Sequence, residues 1–225
     1  MTTCERLSQV NNAPTTELIK EEISKFTPEQ RDLLERENFV IYTLTGKSIK
    51  ELSKVEKFWD LRGLLGLDYK ALSSRSRKSE IAILKDFFLP ESNSKTLSEQ
   101  QELVDMFSEE VSQKIPGVKS VLGNYTDYSE LGILDRDLFI SLNYPVNRYN
   151  SEYASHYART QDQFNIPSEF QKDEEVIANI NVGYMYFSFT PLDNYPHFIF
   201  DIDINNPDNR DSNLYIAPLI VPDNK

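Results

Sequence analysis

From His197 to Asn205 the chain reads HFIFDIDIN, a strict alternation that only one kind of backbone can use. Successive side chains of an extended strand point to opposite faces. Phe198, Phe200, Ile202 and Ile204 therefore share one face, and His197, Ile199, Asp201, Asp203 and Asn205 share the other. A second extended run, 175–190, alternates Asn179 and Asn181 with Ile180 and Val182 before becoming apolar on both faces. About six residues, Pro191 to Pro196, join the two, which predicts a β-hairpin. A third strand is expected over 214–221, with Pro218 placing it at an edge or a bulge. Ten of the twelve tyrosines lie at or beyond Tyr125, in keeping with a sheet-rich C-terminal part.

The earlier part carries helix signals. The stretch Thr27-Pro28-Glu29-Gln30 places a hydroxyl at N-cap, proline at N1 and glutamine at N3, a capping box with a compatible first turn. Leu103, Val104, Phe107, Val111 and Ile115 fall on one stripe of a helix expected over 97–115, ended by Pro116-Gly117. Further helices are expected over 16–26, from Ser48 through Trp59, and over 128–139. Strands are expected over 39–45, where FVIYTLT stops at Gly46, over 81–89 before Pro90, and over 118–122. Residues 67–79 read mostly as loop. The fold class is α+β, with a mixed or mainly antiparallel sheet, helices packed on it and a C-terminal hairpin or meander. Residues 1–14 read as a flexible tail and 15–225 as one domain, helix-rich over 15–116 and β-rich over 117–225.

Charge and cysteine content narrow the function classes. The net charge is −12, and residues 161–225 hold eleven carboxylates against three cations, a net of −8. Such a surface repels phosphate backbones, so a nucleic-acid partner is not expected, whereas a protein partner is. No apolar run is long enough to span a membrane, and the N-terminal MTTCERLSQVNNAPTTE has no apolar core of a signal peptide. With Cys4 the sole cysteine, a reducing, cytoplasmic setting is expected. Zinc sites of several His and Cys are excluded by count, and no nucleotide-binding or nucleophile-elbow motif is present, so no cofactor is expected.

Four groups of residues are site candidates. The Ser73–Ser79 stretch sets Arg75, Arg77 and Lys78 among four serines, a cationic island suited to a phosphate or an acidic partner, or to an acidic face of the chain itself. In 148–159, a helix would bring Tyr149, Tyr153 and Tyr157 to one face beside His156 and Arg159. That surface could stack a base or sugar, or pack the segment against the sheet with its hydroxyls at the rim. Asp201 and Asp203 could hold a divalent ion for a metal-dependent hydrolase, although the run lacks the glycine and glutamate of a helix-loop-helix calcium site. The reading preferred over a metal site is a solvated sheet face that ends in an Asn/Asp/Pro turn.

Finally, Leu61-Arg62-Gly63, Phe139-Ile140-Ser141 and Asp173-Glu174-Glu175-Val176-Ile177 occur in that order along the chain. This order resembles the Arg, Ser and Glu elements of ADP-ribosyltransferases, over about ten of the 225 residues. The resemblance implies an NAD-using enzyme in which Arg62 and Ser141 support NAD and Glu175 orients its ribose. Leu142-Asn143 departs from the family's serine motif, and Asp173 stands where the family has Gln or Glu. The leading expectation is a non-catalytic binding or interaction protein.

Overall fold

Two capping boxes start the long elements of the first half. Thr27 Oγ1 accepts from the Gln30 amide (3.2 Å) while the Gln30 side chain accepts from the Thr27 amide (2.9 Å), opening α1 (Pro28–Arg36). Thr96 and Glu99 do the same, at 3.2 and 2.7 Å, for the helix Leu97–Lys114. The computed structural model describes residues 22–52, 54, 75–135, 138, 142, 157–165, 177–187 and 197–223, with backbone alone at 164–165, 177–179, 182–187 and 197–204. Two other helices occur among these residues, α2 (Ile49–Leu52) and α4 (Tyr125–Leu134); the helix Leu97–Lys114 is α3.

The described strands form two four-stranded sheets. The first contains β1 (Phe39–Thr45), β2 (Lys78–Leu84), β3 (Val118–Val121) and β8 (Leu219–Pro222), in the order β1-β2-β8-β3 with every pair antiparallel. The second contains β4 (Tyr157–Asn165), β5 (Ile177–Phe187), β6 (His197–Asn205) and β7 (Leu214–Tyr215), in the order β6-β5-β4-β7. β5 and β6 pair antiparallel, as the hairpin read from the sequence requires, with Asn181 opposite Asp203 and Phe187 opposite His197. The chain is α+β, with helices and largely antiparallel sheets; the β4–β7 pair is parallel.

Alternation in the first sheet explains how it is buried on both faces. Ala82 and Ile220 join Leu34, Phe39, Val111 and Ile115 under α1 and α3. Their neighbours Ile81, Ile83, Leu219 and Val221 point the other way, onto Tyr128 and Leu131 of α4 and Ala158 and Ile180 of the second sheet. Fully burying each such side chain stabilises by about 1.5–3 kcal/mol. Ile220 therefore packs in one layer and its immediate neighbours in another, so truncating it to alanine is expected to cost about 2–5 kcal/mol.

The C-terminal run corrects the reading of a single strand over 214–221. It divides at Pro218, with β7 in the second sheet and β8 in the interior of the first, between β2 and β3. Proline has no N–H to donate, so the ladder lapses there and the chain passes from one sheet to the other. The crossing is held by buried polar groups. Tyr128 Oη donates to Ala217 O (2.6 Å), and Gln100 Nε2 donates to Leu214 O (3.0 Å) and Ser92 O (2.6 Å). Gly123 lies so close to this point that a Cβ would stand 2.7 Å from Leu219 Cδ1 and from the Tyr128 ring.

Other boundaries shift for reasons of tertiary contact. The described end of the expected 16–26 helix is extended: Ser24 pairs with Ser79, and the Glu80 amide donates to Ser24 O (2.7 Å). Glu80 anchors that segment by accepting from the Phe26 amide (3.0 Å) and from Arg31. The expected strand 81–89 instead runs Lys78–Leu84 and ends in a turn, so Lys78 and Ser79 belong to a strand and not to a loop. The helix begun at Ser48 covers Ile49–Leu52, and the one expected over 128–139 covers Tyr125–Leu134. Val55 and Trp59 lie outside the described residues, as does the whole 1–14 segment.

Candidate functional site

The cationic island lies against the start of α4. Asn124 and Asp127 form a third capping box, at 2.8 and 3.0 Å, which turns the Asp127 carboxylate back toward the preceding loop. There it accepts from the Arg77 amide (2.7 Å) and Arg77 Nε (2.9 Å), while Arg77 Nη2 reaches Leu122 O (3.2 Å). Asp127 is fully buried, and that burial pushes its carboxyl up from the usual range against the opposing pull of Arg77 and the amides.

One helical turn on, Glu130 is also fully buried. It accepts from the Thr45 amide (2.8 Å), Thr45 Oγ1 (2.6 Å), the Lys47 amide (3.3 Å) and Ser76 Oγ. Residues three apart on a helix share a face, so Asp127 and Glu130 together clamp Ser76, Arg77 and the end of β1 to α4. Nearby, the half-buried Tyr42 hydroxyl is pushed up to about 12, first by burial and then by the charges of Glu130 and Asp135. Arg75 stays exposed, donating to Gly46 O (2.9 Å) and lying 3.5 Å from Glu51, and Lys78 is exposed at the start of β2. The island is thus split: Arg77 serves the interior and Arg75 and Lys78 face solvent. Among the described residues, Arg77 pairs with Asp127 of α4 and Arg75 with Glu51 of α2.

The tyrosine-rich segment is corrected where it is described. Tyr157 and Arg159 sit on β4, a strand and not a helix, so their two-residue spacing puts them on one sheet face. Tyr157 is half-buried. Arg159 is fully buried and donates to Pro207 O (2.7 Å) and Asn209 O, fastening the turn that follows β6. Burial lowers the pKa of its guanidinium, opposed by Asp211 and Asp208. Tyr149, Tyr153 and His156 lie outside the described residues, and so do Arg62, Ser141 and Glu175. Asp201 and Asp203 occupy β6, in register with Gly183 and Asn181. Among the described residues no three His, Cys, Asp or Glu side chains gather as a metal site.

Sequence reasoning missed the outer edge of β1. In an antiparallel pair, residues alternate between exchanging both hydrogen bonds with the partner and turning both groups away. The Gly46 amide donates to Arg77 O (3.2 Å) and the Lys85 amide to Asn38 O (3.0 Å), which fixes the phase: Val40, Tyr42 and Leu44 bond β2. Phe39, Ile41, Thr43 and Thr45 then turn their peptide groups outward. Glu130 takes the Thr45 amide and, beyond it, that of Lys47. The peptide groups of Phe39, Ile41 and Thr43 have no partner among the described residues. The available signal was the run FVIYTLT itself, which lacks the charges and prolines that ordinarily blunt an edge strand.

Two grooves are formed by described residues. One of about 370 Å³ lies between the start of α3, at Ser98 and Gln101, and Gln161, Gln163 and Asp208. The other, about 200 Å³, adjoins the Phe39 end of β1, with Phe39, Leu84 and Phe107 on its floor and Glu37, Glu110 and Lys114 at its rim. No family model matches the chain, and no curated protein or solved structure matches it either.

Proposed function

We propose that this chain is a non-catalytic binding protein that accepts an extended segment of a partner protein on the outer edge of β1. The observation that carries this reading is the row of outward peptide groups at Phe39, Ile41 and Thr43, unpartnered among the described residues, next to amides of Thr45 and Lys47 that Glu130 already satisfies. An edge strand offers donors and acceptors at the spacing an added strand needs, and main-chain pairing then provides affinity. Glu130 rigidifies one end of that line, which lowers the ordering cost on binding.

The test is residue-resolved amide exchange on the free protein. Exchange at Ile41 and Thr43 is expected to be at least ten-fold faster than at Tyr42 and Leu44, whose amides bond β2. Equal protection at all four would mean that the edge is already occupied, and the proposal would fall.

A further inference from the structure

We infer that the segment received by β1 is cationic and carries one large apolar side chain that seats in the groove beside Phe39; this rests on the strand-addition reading above. Residues paired across a sheet hold their side chains on the same face. Phe39 is paired with Leu84, and both face the groove under Phe107. A residue set against Phe39 from the outer edge stands on that face too, so its side chain meets the groove mouth. With about 200 Å³ and an aromatic floor, the groove has room for one leucine, methionine or phenylalanine side chain. Alternate pockets of this kind are what give strand addition its sequence preference.

Charge selects between occupants. At the rim, Lys114 is already paired with Glu37 at 3.2 Å, and Glu110, exposed, has no ion-pair partner among the described residues. The chain as a whole carries −12. A second copy would bring the same charge and be repelled at long range, whereas a lysine- or arginine-bearing strand is attracted and steered to the site.

The probe is a nine-residue peptide of alternating lysine and valine with one central leucine, compared with twins bearing glutamate or serine in place of lysine. Binding is read by calorimetry together with exchange at the Ile41 and Thr43 amides. The lysine peptide is expected to bind, to slow those two amides, and to weaken about ten-fold between low and roughly 0.5 M salt. Glu110→Lys, at an exposed helix position, is expected to weaken it about five-fold, and Thr43→Pro to abolish binding.

If all three peptides bind equally and Thr43→Pro blocks them all, the cationic preference is wrong while strand addition stands. Concentration-dependent dimerisation that Thr43→Pro removes would replace the partner segment with a second copy. If no peptide binds although Ile41 and Thr43 exchange fast in the free protein, the inference is overturned. Protected amides in the free protein would overturn the strand-addition reading itself.

Discussion

Glu130→Ala tests the clamp at the end of β1 most directly. The carboxylate receives four donors, two of them hydroxyls, on Thr45 and Ser76, that can rotate toward other acceptors. The losses that rotation cannot repair are the amides of Thr45 (2.8 Å) and Lys47 (3.3 Å). Bonds to an ionised acceptor contribute about 1.5–3 kcal/mol each, so these two amount to roughly 3–5 kcal/mol, with the longer Lys47 bond at the lower end. Removing a buried charge also relieves its desolvation, which offsets about 1–2 kcal/mol. The expected net destabilisation is about 2–3 kcal/mol. Glu130→Gln keeps an acceptor oxygen for Thr45 but turns an NH2 toward the remaining donors, for a loss of about 1–2 kcal/mol. The assay is urea unfolding followed by far-ultraviolet circular dichroism, with the slope required to match wild type. Exchange at the Thr45 and Lys47 amides should also rise at least ten-fold relative to Tyr42. A Glu130→Ala protein within about 0.5 kcal/mol of wild type, or with unchanged exchange at those amides, would refute the clamp.

Three further outcomes are expected. Because the Tyr42 hydroxyl is pushed up to about 12, the difference in phenolate absorbance between wild type and Tyr42→Phe should titrate near that value; a midpoint near 10 would contradict the burial and the acidic neighbours. A tyrosine whose folded pKa is raised keeps its proton where the unfolded chain has lost it, so its contribution is intact below about pH 10 and declines as pH rises toward 12. Thr43→Pro, which removes an outward N–H, should cost under about 1 kcal/mol in thermal unfolding, while Leu44→Pro, which removes a β2 bond, should cost more than about 3 kcal/mol; equal costs would show that the strand's phase is misassigned. Arg159→Met should lower stability by about 1–3 kcal/mol in urea, since it removes the arginine's bond to Asn209 O and leaves Pro207 O with the Leu97 amide (2.8 Å) alone; no change would argue against a structural role for this arginine.

The sequence by itself determined what depends on a few neighbouring residues. Thr27 and Gln30 define a helix start because both capping bonds close within three residues. The His197–Asn205 strand is legible because alternation is a property of one strand's backbone, whatever it pairs with. The stripe from Val104 to Ile115 likewise announced which side of α3 is buried. Tertiary structure alone decided the rest. Leu214 to Val221 reads as one strand with Pro218 at an edge or a bulge, and only its partners, β4 for one half and β2 with β3 for the other, divide it there between two sheets. Arg77, Arg75 and Lys78 look alike in sequence, but Asp127, fifty residues further on, draws one of them inward. Arg159, read as part of a binding surface, is buried because the carbonyls of Pro207 and Asn209 close over it. An edge, too, is not a property of a strand but of what fails to lie beside it. The run FVIYTLT gave the strand its composition, and the β1-β2-β8-β3 order made its outer side the one left open among the described residues. Pairings of this kind are settled by contacts between groups distant in sequence, whose free energies no local pattern encodes.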